Sequence, residues 1–218
     1  MPTRFDLLVF DWDGTLMDSA ACIAGSLQAA CRDLDLPVPS EREARFVIGL
    51  GLNDTMAHIL PALPPSEYPR VVERYRHHFL EHDAHTTLFA GVEQMLAELR
   101  GRGHLLAVAT GKSRRGLDRA LAAAGLAECF HATRCADEGH SKPDPGMLRR
   151  ILEALDVAAD RALMIGDTTH DMQMARSAGV ARVAVCHGAH EMRELLEHEP
   201  LACVSDCGEL RAWFARNA

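Results

Sequence analysis

The chain has 218 residues, 48% hydrophobic and 25% charged, with 31 acidic side chains against 23 lysines and arginines and a formal net charge of −8. That balance opposes a protein that tracks a nucleic-acid backbone or an anionic membrane, and it fits small soluble partners. No apolar run reaches the ~20 residues of a membrane span, and the N-terminus lacks the basic flank, apolar stretch and small-residue cleavage pattern of a secretory signal, so a cytoplasmic protein is expected.

Taken in chain order, the first element is the apolar run Phe5 to Phe10, a strand that leads directly into Asp11-Trp12-Asp13-Gly14-Thr15. Residues 17–87 then read as helices only. Asp18 to Leu34 is amphipathic, Ser40-x-x-Glu43 has the spacing of a capping box, and Asn53 to Leu60 and Ser66 to His82 follow, punctuated by Pro37, Pro39, Pro61, Pro64 and Pro65. From residue 88 onward strands and helices alternate. Val92 to Arg102 reads as a helix, Leu105 to Ala109 as a strand ending in Thr110-Gly111-Lys112, and Arg114 to Gly125 as a helix closed by glycine. Ser141-Lys142-Pro143 precedes a helix with its apolar stripe over Pro145 to Leu155. The strand Ala162 to Ile165 runs into Gly166-Asp167-Thr168-Thr169-His170-Asp171, and Arg182 to Cys186 and Leu201 to Val204 are the last two strands.

Such alternation implies an α/β protein with a doubly wound parallel sheet. The expected organisation is a core made of residues 1–16 and 88–218, with a smaller, all-helical domain of residues 17–87 inserted after the first strand and lying over the crevice. Ligands of these sheets sit beyond the carboxyl ends of the strands, where Asp11/Asp13, Thr110-Gly111 and Gly166-Asp167 all fall. The seven cysteines (Cys22, Cys31, Cys129, Cys135, Cys186, Cys203, Cys207) are odd in number and lack a CxxC spacing. They therefore read as core fillers rather than a disulfide framework or zinc site.

Two carboxylates two residues apart at a strand end allow one to attack while the other moves a proton; the alternative is plain Asp-Gly turn chemistry. Asp167 and Asp171 lie about one helical turn apart and with Asp11 would gather three acids. Unit charges about 4 Å apart repel by roughly 4 kcal/mol at an effective dielectric of about 20, so the cluster calls for a cation. All-oxygen ligation beside an expected phosphate points to magnesium, although Asp171 is also a favourable first-turn charge. Thr110 and the Gly111 amide can donate to an oxyanion near a helix N-terminus. Lys142 can pair with both phosphate and nucleophile, or simply mark a helix entrance.

In order, DxDGT, T-G, K-P and GDxxxD resemble the four signature motifs of the haloacid dehalogenase superfamily. The helical insertion resembles its alpha-helical cap, as in phosphoglycolate phosphatases and beta-phosphoglucomutases. The resemblance spans nearly the whole chain and implies a role for each matching residue. Asp11 would be the nucleophile that forms an aspartyl-phosphate, and Asp13 the general acid and base. Thr110, Gly111 and Lys142 would hold the phosphoryl oxygens. Magnesium would be bound by the Asp11 carboxylate, the Asp13 backbone carbonyl and Asp167, with Asp171 direct or through water. Members that release halide lack an acid at the Asp13 position, so its presence implies phosphate chemistry. The implied activity is hydrolysis of a small phosphorylated metabolite, phosphoglycolate being the leading candidate. A sugar phosphomutase and a catalytically silent binding protein are the alternatives, and the oligomeric state is left open.

Substrate choice is expected to lie in the helical segment. Its Ile48-Gly49-Leu50-Gly51-Leu52-Asn53 stretch resembles a family loop that dips into the site. Arg45, Asn53, His58, Arg114 and Arg115 could read a second acidic group or be solvated surface residues. His78, His82 and His85 share a helix face without an HExxH-type motif and so carry little metal signal. His170 is expected to face outward, and His187 and His190 follow a strand end and could border the pocket or be ordinary loop residues.

Overall fold

The computed structural model describes residues 4–82 and 86–218. Six strands, β1 (Leu7–Phe10), β2 (Leu105–Thr110), β3 (Ala132–Cys135), β4 (Ala162–Gly166), β5 (Ala181–Val185) and β6 (Cys203–Val204), form one parallel sheet in the order β3-β2-β1-β4-β5-β6. The central strand β1 is wholly buried because helices cover both faces. Its side chains obey the period of two. Leu8 and Phe10 enter the core that contains Val92, Leu96, Leu117 and Phe214, whereas Leu7 and Val9 enter the opposite core with Leu148, Ile151 and Met174.

The helices supplying those faces are α5 (Val92–Gly101), α6 (Arg114–Ala123) and α10 (Cys207–Asn217) on one side and α7 (Gly146–Leu155) and α8 (Thr169–Ala178) on the other. The short α9 (Met192–Leu196) adds Leu195 to a small cluster with Met172 and Ala184. Register places Phe10 between Val108 of β2 and Ile165 of β4. The residues that follow these three positions therefore emerge side by side at the carboxyl edge. The connection order reverses at β1, which opens the crevice there.

Every strand read from sequence is present, with β6 shortened to Cys203–Val204. The edge strand β3 was not anticipated. Only Cys135 of its four residues is fully buried, so it has neither an apolar run nor a clean alternation. All seven cysteines are free thiols, and Cys186 Sγ lies 3.1 Å from Cys203 Sγ across neighbouring strand ends.

Between β1 and α5 the regular elements among the described residues are all helical: α1 (Ala20–Asp33), α2 (Glu41–Phe46), α3 (Leu52–Ile59), a 3-10 turn at Pro65–Glu67 and α4 (Tyr68–His82). They share a core of Ile23, Leu27, Met56, Val71 and Phe79. The Ser40/Glu43 capping box that opens α2 is formed in both directions. The two crossings to this segment lie together, with the Asp18 amide donating to the Thr87 carbonyl and the Phe89 amide to the Leu16 carbonyl, at 2.9 and 3.0 Å. His78 Nε2 lies 2.7 Å from Asp33 Oδ2 and His82 Nδ1 2.8 Å from the His78 carbonyl, while His85 falls outside the described residues. No helix among the described residues is long and apolar enough to cross a membrane.

Phe10 is fully buried and meets the Phe214 ring edge-on, with centroids 6.4 Å apart. Phe10→Ala is expected to cost about 3–5 kcal/mol of unfolding free energy, read as a lower urea midpoint.

Candidate active site

The site is built on the carboxyl ends of β1, β2 and β4. The Asp11 amide still belongs to the sheet, donating to the Ile165 carbonyl at 2.9 Å, and its side chain is 1% exposed. Beyond it the chain turns at Gly14 (φ +80°), while the buried Trp12 ring anchors the turn in the core. This turn sends the two acids to different partners. Asp11 Oδ1 lies 2.8 Å from Lys142 Nζ and accepts the Trp12 amide at 2.6 Å. Asp13 Oδ1 accepts the Ser19 hydroxyl at 2.6 Å and meets Lys112 Nζ at 3.0 Å.

Asp167, at the end of β4, is held from two directions: Thr15 Oγ1 donates to Oδ1 at 2.6 Å and the Ala189 amide to Oδ2 at 2.8 Å. Asp171 closes a capping box with Thr168, whose hydroxyl and amide both donate to Asp171 Oδ2, at 2.6 and 3.2 Å. Its other oxygen lies 2.7 Å from Lys142 Nζ. Asp11, Asp167 and Asp171 bring carboxylate oxygens within 4.8 Å of one another. Thr110 is buried at the end of β2, where its hydroxyl accepts the Lys112 amide at 3.2 Å. Gly111 lies beneath the helical segment's loop; a Cβ there would stand 2.5 Å from the Gly49 carbonyl oxygen.

The charges do not balance. Three buried carboxylates face one buried ammonium, Lys142. Burial, reinforced by Asp171 and Asp167 and opposed by Lys142, holds the Asp11 carboxyl well above the usual carboxylate range. Burial and the Asp171 charge push Asp167 up to about 7. Burial works against the Lys142 ammonium, but Asp11 and Asp171 outweigh it and raise its pKa. Asp11 Oδ2 is buried without a hydrogen-bond partner. Bare backbone brackets the same acids: a Cβ would lie 2.1 Å from Asp167 Oδ2 at Gly14 and 2.2 Å from it at Gly188. An unpartnered carboxylate oxygen inside a tight, all-oxygen acidic cluster fits a hard divalent cation.

The helical segment reaches into this cluster. Gly49 adopts φ +92°, and a Cβ on it would lie 3.4 Å from Thr168 Oγ1 and 3.9 Å from Asp11 Oδ2. Histidines of the core hold that loop. His170 is 6% exposed rather than outward-facing, because the second residue of α8 faces the helical segment. His170 Nε2 and His190 Nε2 lie 2.7 and 3.0 Å from the Phe46 carbonyl. His190 Nδ1 accepts the Thr169 amide at 3.1 Å, which leaves Nε2 of the neutral ring as the donor. Burial pushes His170 down to about 4 and lowers His190 as well, so both are neutral near pH 7. The Phe46 ring stacks on His190 and His58.

The remaining candidates separate by their partners. Arg45 pairs with Glu41, and Arg114 with Glu138 and Asp118, which removes both as free anion readers. Arg115 and Asn53 are exposed. His187 Nε2 lies 3.2 Å from the Thr15 carbonyl. Ser19, Lys112 and Ala189 contact the acids but had not been singled out. A serine six residues beyond Asp13 and a backbone amide 22 residues beyond Asp167 carry no local signature.

Residues 8–185 match the haloacid dehalogenase-like hydrolase family. The chain belongs to that family. It is 38% identical to the "probable phosphatase IndB" of Dickeya dadantii, over 94% of this chain and 91% of that protein. It is 30% identical to a phosphoglycolate phosphatase of Vibrio cholerae, over 94% of each chain. The fold of this haloacid dehalogenase-like hydrolase also superposes on a solved hydrolase from Pseudomonas syringae with a TM-score of 0.90, covering 98% of this chain and 99% of that one at 20% identity.

Two outcomes follow from this geometry. Gly14→Ala drives a methyl into Asp167 and is expected to weaken divalent-cation binding 10–100-fold, about the effect of disturbing a supporting shell, measured by calorimetry. The second concerns pH. In the ion-free protein the raised Asp167 carboxyl keeps a proton that the unfolded chain releases above its ordinary value of 3.8, so its contribution to stability falls as pH rises from about 4 through about 7. A divalent cation is therefore expected to raise the melting temperature more at pH 8 than at pH 5.5; equal increments would contradict the charge imbalance.

Proposed function

We propose that the protein is a magnesium-dependent phosphatase that hydrolyses a small-molecule phosphate monoester through an aspartyl-phosphate on Asp11. The observation that carries this reading is the division of labour between the two acids: Asp11 sits in the buried cluster against Lys142, while Asp13 is held apart by Ser19 and Lys112. Equivalent environments would make the acids redundant; different ones permit different roles.

In the first step the Asp11 carboxylate attacks phosphorus, the bond to the ester oxygen breaks, and Asp13 gives its proton to the departing alkoxide. In the second, Asp13 takes a proton from water as that water attacks phosphorus. The bond to Asp11 breaks, inorganic phosphate leaves, and both acids regain their starting forms. Lys142, the Thr110 hydroxyl and the Gly111 amide hold the phosphoryl oxygens, and Lys142 also fixes the orientation of Asp11. Magnesium would be held by Asp11, Asp167, Asp171 and the Asp13 carbonyl. When bound, it supplies the positive charge that offsets the carboxylates and the transferring phosphoryl group.

Support comes from the family match and from relatives named phosphatases. Phosphoglycolate, the substrate in the name of the Vibrio cholerae relative, is the first compound to test.

Purified protein is expected to release inorganic phosphate from a phosphate monoester only with magnesium, and chelation is expected to stop it. Asp11→Asn should reduce the rate at least about 10⁴-fold, and Asp13→Asn about 10²–10⁴-fold. Acid quenching during turnover should trap phosphate on the wild-type chain and none on Asp11→Asn. Isomerised sugar phosphate without free phosphate would identify a phosphomutase instead.

A further inference from the structure

The carbonyl of Phe46, the last residue of α2, is not taken up by its own helix. The amide four residues on, that of Leu50, donates to the Val47 carbonyl at 3.2 Å instead. The Phe46 carbonyl is thus one of the orphan acceptors of a helix end, and the core supplies its donors. His170 Nε2 lies 2.7 Å from it and His190 Nε2 3.0 Å. A carbonyl only accepts, through two lone pairs, so each ring donates to it from Nε2. The same histidines grip the side chain: the Phe46 ring stacks on His190 with centroids 5.3 Å apart and meets the His170 ring edge-on at 5.2 Å.

Three residues on, the chain closes over the nucleophile. At Gly49 the backbone passes so near the core that a Cβ would lie 3.4 Å from Thr168 Oγ1 and 3.9 Å from Asp11 Oδ2, and the Gly49 carbonyl oxygen stands 2.5 Å from where a Cβ on Gly111 would be. This peptide therefore roofs both Asp11 and the Gly111 backbone. Asp11, Thr110, Gly111 and Lys142 all belong to the core, so the height of the roof above them is set by contacts between the core and the helical segment. Two of these, the Arg42–Glu194 pair at 2.8 Å and the Ser141 hydroxyl's bond to Asp54, are exposed and constrain it weakly. His170 and His190, 6% and 5% exposed, form the buried link.

We propose that His170 and His190 are positioning residues for phosphoryl transfer. By holding the Phe46 carbonyl they fix the Gly49 backbone above Asp11, so that the carboxylate and the phosphoryl group meet in one geometry. This inference rests on the phosphatase reading. There the phosphoryl oxygens are held by Lys142, Thr110 and Gly111 of the core, so a loosened roof leaves substrate affinity in place and costs alignment in the attack. A misplacement of about 1 Å can lower a rate about 10²-fold. The effect therefore falls on kcat rather than KM.

The test pairs His170→Leu, which removes one donor, with His170→Gln, whose side-chain amide supplies one again. In the magnesium-loaded full chain His170→Leu should lower kcat at least about tenfold while KM changes less than about threefold, and His170→Gln should recover most of the loss. A smaller loss of kcat, a loss confined to KM, or a Gln variant no better than the Leu variant overturns the proposal. His170 precedes Asp171, so both variants are also assayed at saturating magnesium; a kcat loss that disappears there belongs to the cation site and overturns it as well. Hydrogen exchange over residues 47–51 needs no turnover. It should quicken at least about tenfold in His170→Leu and return toward the wild-type rate in His170→Gln; unchanged exchange means that the histidines do not hold the loop. If the wild-type chain hydrolyses no ester, the phosphatase reading fails, and the exchange rates alone decide whether the loop is fixed by these two rings.

Discussion

Lys142, 1% exposed, holds carboxylates from two different parts of the chain, with its Nζ 2.8 Å from Asp11 and 2.7 Å from Asp171. Breaking a buried ion pair by removing one partner typically costs about 3–5 kcal/mol, because the other charge is left in a medium that solvates it poorly. The surrounding structure meets that constraint locally. The sheet fixes Asp11, the Thr168 capping box fixes Asp171, and Thr15 with the Ala189 amide fixes the neighbouring Asp167. Three carboxylates against one ammonium leave two negative charges in excess, and this imbalance links the local architecture to cation binding. Burial pushes Asp11 and Asp167 toward their neutral forms.

The same edge of the sheet also organises the helical segment. Two neutral histidines from the core donate to a single carbonyl, that of Phe46, and so place the Gly49 turn above Asp11. Neutral donors suit this position, since burial disfavours an imidazolium there. The loop continues across Gly111 at a separation that only a residue without a side chain permits. The loop is thereby tied to the sheet edge that carries the acids.

Much of this was legible in the chain. The apolar runs marked five of the six strands, because a strand buried on both faces has to be nearly continuous in hydrophobic residues. Asp11, Asp167 and Asp171 announced themselves by following those runs, and the Ser40/Glu43 box formed as its spacing predicts. The edge strand β3 left no pattern because one side of it meets solvent. His170 faces inward against the expectation from its sequence position, because helical position alone does not say which face another segment will cover.

By itself the sequence determined the sheet order's raw materials, the strand ends that carry acids, and the family to which the chain belongs, since all three are written in local runs and short spacings. Tertiary structure decided which charges meet. Lys142 comes within contact of Asp11 from 131 positions away in sequence, Ser19 rather than solvent takes Asp13, and paired histidines close on Phe46. These contacts depend on strand register and on how the helical segment packs, and pairwise geometry between distant segments leaves no periodic trace in the residues that make it.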